Sequence, residues 1–222
     1  AAAAHAAGAM RPRFSIVIAV YNRAPLLRRA LASLIAQTEP DWEAWVVDDG
    51  STDGTVATIH DQLHRAPAIR CIRRTHGGEA RAKNEGIALC RGEFITFLDS
   101  DDEYEPDHLQ SRRRILEQDP GIEFLHGGVR IVGDPCVPDR NDTSRQIHLS
   151  ECVIGGTFFI RRDAMHALGG FREIAFACDA ELFDRAVAAG LSIVRTTHES
   201  YVYHREHADS ITHDFRKGPG KT

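Results

Sequence analysis

The sequence predicts an α/β fold built on a mostly parallel central sheet flanked by helices. Short apolar runs of strand length alternate with segments of helical period through the first hundred residues. Strand, helix and strand at that spacing require right-handed crossovers and parallel neighbours. Each of the first four strand-like runs also ends in a cluster of polar residues. With 222 residues, 42% of them hydrophobic and 27% charged, the chain fits one domain with a sizeable core.

Phe14 to Val20 is almost continuously apolar, as in a strand covered on both faces. Pro25 then opens a helix whose Leu26/Leu27, Ala30/Leu31 and Leu34/Ile35 pairs recur every four residues. Trp42 to Val47 reads as the second strand, Thr55 to Leu63 as a helix, Ile69 to Ile72 as the third strand. A helix over Glu79 to Cys90 and a fourth strand over Phe94 to Leu98 follow. The second half is less regular. Gly133 to Ser150 is polar, rich in turn formers, and reads as a long loop. After it come an apolar strand over Val153 to Ile160, a short helix through Met165, a helix over Asp179 to Ala189, and an aromatic strand at Tyr201 to Tyr203.

Bulk properties exclude several classes of partner. Net charge is −5 and no basic stripe marks a nucleic-acid surface. The longest apolar runs are strand-sized, so no membrane span is expected. AAAAHAAGA lacks the apolar centre of a secretion signal and reads as a cloning remnant before Met10. The five cysteines are scattered, without zinc-like pairing, and fit free thiols in a reducing compartment. The expected location is cytoplasmic, or peripheral to the membrane.

The polar clusters carry the chemistry. They are Tyr21-Asn22-Arg23, then Asp48-Asp49-Gly50-Ser51-Thr52-Asp53-Gly54, then Thr75-His76-Gly77-Gly78, and finally Asp99-Ser100-Asp101-Asp102-Glu103. Any one of them reads as a plain turn. Four at the carboxyl ends of successive parallel strands read as a site, because ligands bind outside those ends. Neither a dinucleotide glycine fingerprint nor a Walker loop is present. Asp99 and Asp101 are two apart, so in an extended segment they face the same side and can converge on one cation. Carboxylates repel without a positive partner, and Mg²⁺ or Mn²⁺ suits one or two of them shared with substrate phosphates. Asp179 lies one turn before Leu182, Phe183, Ala186 and Val187, on the stripe expected to be buried. It reads as an inward carboxylate or as a helix N-cap. Glu181 and Arg185 read as a surface pair on the opposite face.

The stretch from Phe14 to Thr55, FSIVIAVYNRAPLLRRALASLIAQTEPDWEAWVVDDGSTDGT, resembles the inverting nucleotide-sugar glycosyltransferases of family 2. The likeness continues through GGEARAKNEGIALCRGEFITFLDSDDEYEPDHL and, more loosely, GGTFFIRRDAMHALGGF, CDAELFDRA and YHREHADSIT. It implies the GT-A fold, with a Rossmann-like nucleotide-binding half at 11–109 and an acceptor half at 110–214 of a single domain. Residues 215–222 would then be a tail and 1–10 the remnant. The resemblance implies that Tyr21 and Asp49 hold the base, uracil first, with Asn22 beside them. It makes Asp101 the metal ligand, with Asp99 at the metal or ribose and His207 at the metal or diphosphate, and Mn²⁺ or Mg²⁺ the cofactor. Asp179 matches the catalytic base. Lys83-Asn84 stand where the family has Arg-Asn, and lysine lacks the bidentate fork for phosphate or base. Cys178 stands where a glutamate usually precedes the base. The implied partners are a nucleotide-sugar donor and a glycan or lipid-linked acceptor. A sugar-1-phosphate nucleotidyltransferase and a non-catalytic, nucleotide-binding relative remain as rival readings.

Overall fold

The structure, a computed structural model, describes residues 11–142, 144–174 and 176–206. The first half follows the expected alternation: β1 (Phe14–Val20), α1 (Ala24–Ile35), β2 (Trp42–Asp48), α2 (Thr55–Leu63), β3 (Ile69–Arg73), α3 (Glu79–Leu89) and β4 (Phe94–Phe97). The second half contains β5 (Glu103–Tyr104), α4 (His108–Gln118), β6 (Phe124–Gly133), β7 (Cys136–Pro138) and β8 (Gln146–His148). It ends with β9 (Phe159–Arg161), α5 (Arg162–Leu168), α6 (Cys178–Ala188) and β10 (Ile193–Arg205).

Eight strands form one sheet in the order β3-β2-β1-β4-β9-β6-β10-β5. β1 pairs in parallel with β2 and β4, and β2 with β3, so the carboxyl ends of all four lie on one edge. β9 runs antiparallel to both β4 and β6, while β10 runs parallel to β6. The second half is therefore mixed, in contrast to the parallel first half.

β1 shows why these residues form a central strand. Ile16 and Ile18 pack into the cluster with Leu27, Leu31 and Val46, whereas Val17 packs on the other face with Ile95, Phe97 and Phe124. The two-residue period of a strand thus feeds two cores, one on each face. α1 closes the first with Leu27, Ala30, Leu31 and Leu34. α3 closes part of the second, and its approach depends on Gly86. A Cβ there would lie 2.5 Å from Val17 Cγ1 and 3.2 Å from Val47 Cγ2.

Four expectations for the second half change. The apolar run from Val153 to Ile160 is not one strand: residues Gly155–Thr157 form a 3₁₀ turn, and only Phe159–Arg161 is extended. Its cause is close packing at both glycines. A Cβ on Gly155 would lie 3.0 Å from Asp179 Cβ, and one on Gly156 would lie 2.1 Å from the Tyr201 hydroxyl. The long polar segment is partly ordered as the antiparallel hairpin β7–β8, with Cys136 opposite His148. The strand at Tyr201 to Tyr203 is the end of the much longer β10, irregular between Thr196 and Tyr201. Val187 is 55% exposed and lies off the buried stripe, which α6 builds from Leu182 and Ala186.

Gly86 gives the fold a direct test. Gly86→Val should lower the urea midpoint by the equivalent of about 1–3 kcal/mol, the usual cost of overpacking a well-filled core. An unchanged midpoint would mean that α3 does not sit on β1 in this way.

Candidate active site

A cleft of about 1140 Å³ opens at the carboxyl edge of β1, β2 and β4. Tyr21, Asp49, Lys83, Asp99 and Asp101 line one wall. Asp179, Phe183 and the β7–β8 hairpin line the other. The four sequence clusters therefore meet one another, and they face the amino end of α6.

The acidic turn after β4 is held by neighbours that are not acidic. Lys83, buried on α3, donates its ammonium to Asp99 Oδ1 at 2.9 Å and to Glu79 at 2.5 Å. Burial opposes that charge, yet Asp99 and Glu79 hold the ammonium well above its usual pKa. Its stem lies against Phe97 and Phe171, with the nitrogen 5.8 and 5.5 Å from the ring centroids. Asp102 is fully buried: Oδ2 accepts from the Tyr201 hydroxyl at 2.6 Å and Oδ1 from the His204 N–H at 2.8 Å. Burial, then Asp101 and Asp99, push its carboxyl well above the usual range. Asp101 is raised too, by burial first and Asp99 next, with Arg23 opposing.

At the ends of β1 and β2, Asp49 organises the loop after β3. Its Oδ1 accepts from Arg74 at 3.0 Å and the Gly77 N–H at 3.0 Å; its Oδ2 accepts from the Gly78 N–H at 2.8 Å and lies 2.8 Å from His76 Nδ1, which hydrogen-bonds the Asp49 carbonyl at 3.2 Å. The His76 ring stacks on Tyr21, centroids 4.0 Å apart and 23° from parallel. Asn22 takes the left-handed conformation, φ 51°, and its Oδ1 accepts from the Thr52 N–H at 2.8 Å. That carboxamide shapes the loop after β2. Asn84 likewise clamps both backbone groups of Phe171, donating to the carbonyl at 2.8 Å and accepting from the N–H at 2.8 Å. Its place is a tie between α3 and the segment before α6.

Asp179 is the second residue of α6, whose N-cap is Ala177, so the carboxylate is not the cap. Oδ2 accepts from the Gly155 N–H at 3.1 Å and Oδ1 from the Ala180 N–H at 2.8 Å. Burial raises its pKa; those two backbone donors and Lys83 oppose the rise. Beside it, burial pushes the Cys178 thiol up to about 12, which leaves it neutral. Glu181 and Arg185 do pair, at 2.8 Å. Arg185 also donates to the Leu168 and Gly170 carbonyls, fixing the segment that Asn84 holds from the other side.

The donor set fits a hard divalent cation. Asp99 and Asp101 both face the cleft, and the Asp101 carboxylate accepts no side-chain hydrogen bond among the described residues. Mg²⁺ and Mn²⁺ take such carboxylates and complete their shell with phosphate oxygens and water. No group of three or more His, Cys, Asp or Glu forms a complete cage among the described residues. His207 lies outside the described residues.

Residues 15–134 match the family model for glycosyl transferase family 2. The chain belongs to that family. An O-antigen biosynthesis protein of Myxococcus xanthus is 32% identical over 170 residues, which are 73% of this chain and 13% of that protein. The chain spans less than half the length of the curated relatives it matches first. Among solved structures, residues 1–349 of TarS from S. aureus in complex with UDP-GlcNAc superpose with a TM-score of 0.76 at 21% identity. They cover 90% of this chain and 60% of that one. The mannosyltransferase PcManGT of Pyrobaculum calidifontis, in complex with GDP-Man and Mn²⁺, gives a TM-score of 0.72 at 24% identity, covering 93% of this chain and 60% of its own. The fold is GT-A, and the chain is a glycosyltransferase domain.

The expected residues Tyr21, Asp49, Lys83, Asp99, Asp101 and Asp179 line the cleft, whereas Gly155 in its lining, and Tyr201 and Asp102 behind it, carried no expectation. Asp102 sat in the acidic run, unassigned. Tyr201 is 102 residues from Asp99, so only the paired strands reveal their contact.

The acidic turn predicts a pH effect. Asp101 and Asp102 both bind protons more readily in the folded chain than in the unfolded one. Each therefore contributes stability that is present below the ordinary carboxylate pKa, near 4, and lost as pH rises through its raised folded value. In EDTA, Asp101→Asn should melt above the wild type at pH 8, and the gap should close towards pH 4. A gap that is constant with pH would contradict the assignment.

Proposed function

We propose that the chain transfers a sugar, with inversion, from a nucleoside diphosphate sugar to an acceptor hydroxyl. UDP is the favoured carrier, Mn²⁺ or Mg²⁺ the cofactor, and Asp179 the general base. One observation carries this reading: a half-buried, backbone-anchored carboxylate shares a single cleft with an acidic, cation-fitting turn. TarS with UDP-GlcNAc and PcManGT with GDP-Man and Mn²⁺, on the same fold, support a nucleotide sugar and a metal. The Myxococcus relative supports an acceptor in surface-glycan assembly. No helix among the described residues is long and apolar enough to cross a membrane.

In this reading Tyr21 offers its ring, 42% of the residue being exposed, to the base. Asp49 accepts a ring N–H, which uracil and guanine possess. Asp101, with Asp99, would hold the cation, which when bound supplies Lewis-acid stabilisation of the diphosphate leaving group. Lys83 pairs with Asp99 Oδ1 at 2.9 Å and holds it in place. Asp179 removes the acceptor proton while that oxygen attacks the anomeric carbon from the face opposite the diphosphate. Burial makes the carboxylate a stronger base than an exposed one, and the Gly155 and Ala180 N–H groups hold its orientation. A single displacement without an enzyme nucleophile inverts the centre. The surrounding half, residues 110–214, then shapes the acceptor site. The family match does not favour a nucleotidyltransferase.

Two measurements test this. UDP should raise the melting temperature more with Mn²⁺ than with EDTA, and Asp101→Asn should erase that difference. Equal stabilisation in both buffers for the wild type rules out the metal reading. Asp179→Asn should lower turnover by roughly 10²- to 10⁴-fold, followed as donor hydrolysis when no acceptor is at hand. UDP affinity and melting temperature should hold. Wild-type turnover in that variant would remove Asp179 from the mechanism.

A further inference from the structure

We infer that the His76 imidazole occupies the nucleobase position and competes with the donor for it. This rests on the reading that Tyr21 and Asp49 hold the base. His76 makes both contacts assigned to that base. Its ring stacks on Tyr21 with centroids 4.0 Å apart, and its Nδ1 lies 2.8 Å from Asp49 Oδ2. Nδ1 also hydrogen-bonds the Asp49 carbonyl at 3.2 Å; a carbonyl only accepts, so Nδ1 carries the proton, as a base imide nitrogen would.

Two physical limits make the occupancy exclusive. A flat base between Tyr21 and His76 needs the rings roughly 7 Å apart, twice the optimal carbon–carbon contact. They are 4.0 Å apart. The carboxylate of Asp49 is also covered. Arg74 and Gly77 use Oδ1, the Gly77 N–H also reaches Oδ2 at 3.2 Å, Gly78 uses Oδ2, and His76 Nδ1, 2.8 Å from Oδ2, blocks the approach that remains. A carboxylate offers about four lone-pair sites. Of these partners, the backbone amides and Arg74 build the loop, and His76 alone is a side chain with somewhere to go.

The loop is made so that the side chain moves and the backbone stays. Gly50, at φ +80°, lets the 76 backbone press close: a Cβ there would lie 2.9 Å from the His76 N. The His76 side chain is 54% exposed, against 4% for Asp49, so it can rotate into water without opening the core. When it does, one Oδ2 lone pair and one face of Tyr21 are released together. Those are the two contacts the nucleobase takes up. The Gly77, Gly78 and Arg74 contacts to Asp49 remain, so the carboxylate is already oriented. His76 therefore sets donor affinity, and the free site is capped by a ring from its own chain.

Calorimetric titration of UDP in Mn²⁺ buffer tests this with three variants: His76→Ala, His76→Ser and Tyr21→Ala. Loss of one stack and one exposed hydrogen bond from the competitor should tighten UDP binding about three- to tenfold in both His76 variants. Tyr21→Ala should weaken it. Unchanged or weaker binding in both His76 variants, with Tyr21→Ala weakened, overturns the competition alone: His76 would then be inert or would close over the base. Unchanged binding in Tyr21→Ala overturns the base site itself, and the inference falls with it.

Discussion

The hydrogen bond between Tyr201 and Asp102 is the joint on which the two halves of the cleft depend. Asp102 belongs to the acidic turn after β4, and Tyr201 to β10, 99 residues later. The phenol is fully buried, and Gly156 leaves the space its ring requires. Gly155, the neighbouring residue, donates to Asp179. One chain of contacts thus runs from the acidic turn through Tyr201 and the 155–156 turn to the amino end of α6. This chain ties the acidic turn to the amino end of α6 through the buried Tyr201–Asp102 bond and the half-buried Gly155–Asp179 bond. A buried acid bonded to a buried phenol costs desolvation. The return is a turn whose remaining carboxylates are aimed outwards.

That arrangement also explains how the turn tolerates its own charge. Asp99 has Lys83, and Asp102 has two donors and a raised pKa, so only Asp101 lacks a side-chain donor among the described residues. Lys83 matters here. Its ammonium reaches both Asp99 and Glu79 while lying 5.8 and 5.5 Å from the Phe97 and Phe171 ring centroids. A guanidinium would present a wider, planar head at the same place.

How much of this was legible depended on whether the determinant was local. β1 to β4 and their helices were readable because β1, β2 and β4 are mostly apolar, β3 keeps Ile69, Cys71 and Ile72, and each crossover has helical period. α4 was not, since its inward face includes His108 and Arg112, both fully buried, which breaks the apolar pattern. β6 was hidden by Gly127 and Gly128, at φ 90° and 74°, which interrupt its alternation. Val153 to Phe158 reads as strand by composition, but contact with Asp179 and Tyr201 turns it. Site residues divide in the same way. Asp99, Asp101 and Asp49 are acidic residues at strand ends and can be found from spacing. Asn22 and Asn84 share that neighbourhood yet spend their amides on Thr52 and Phe171, a division of labour that only the fold shows.

The loop-holding asparagines carry the argument one step further. A cleft that binds a polar ligand must present fixed donors and acceptors before the ligand arrives, or binding would have to supply the cost of ordering them. Here that order is built from backbone groups captured by side chains: Thr52 by Asn22, Gly77 and Gly78 by Asp49, Phe171 by Asn84, Gly155 by Asp179. Arg185 adds the Leu168 and Gly170 carbonyls. Asp49 and Asp179 therefore each do two things, tying a loop with one part of the carboxylate and facing the cleft with the rest. Asp179 is held in place by the same backbone donors that oppose the rise in its pKa. Its substitution by a smaller side chain disturbs a loop as well as the chemistry. Isosteric amides, which keep the shape and one acceptor, are for that reason the informative replacements at both positions.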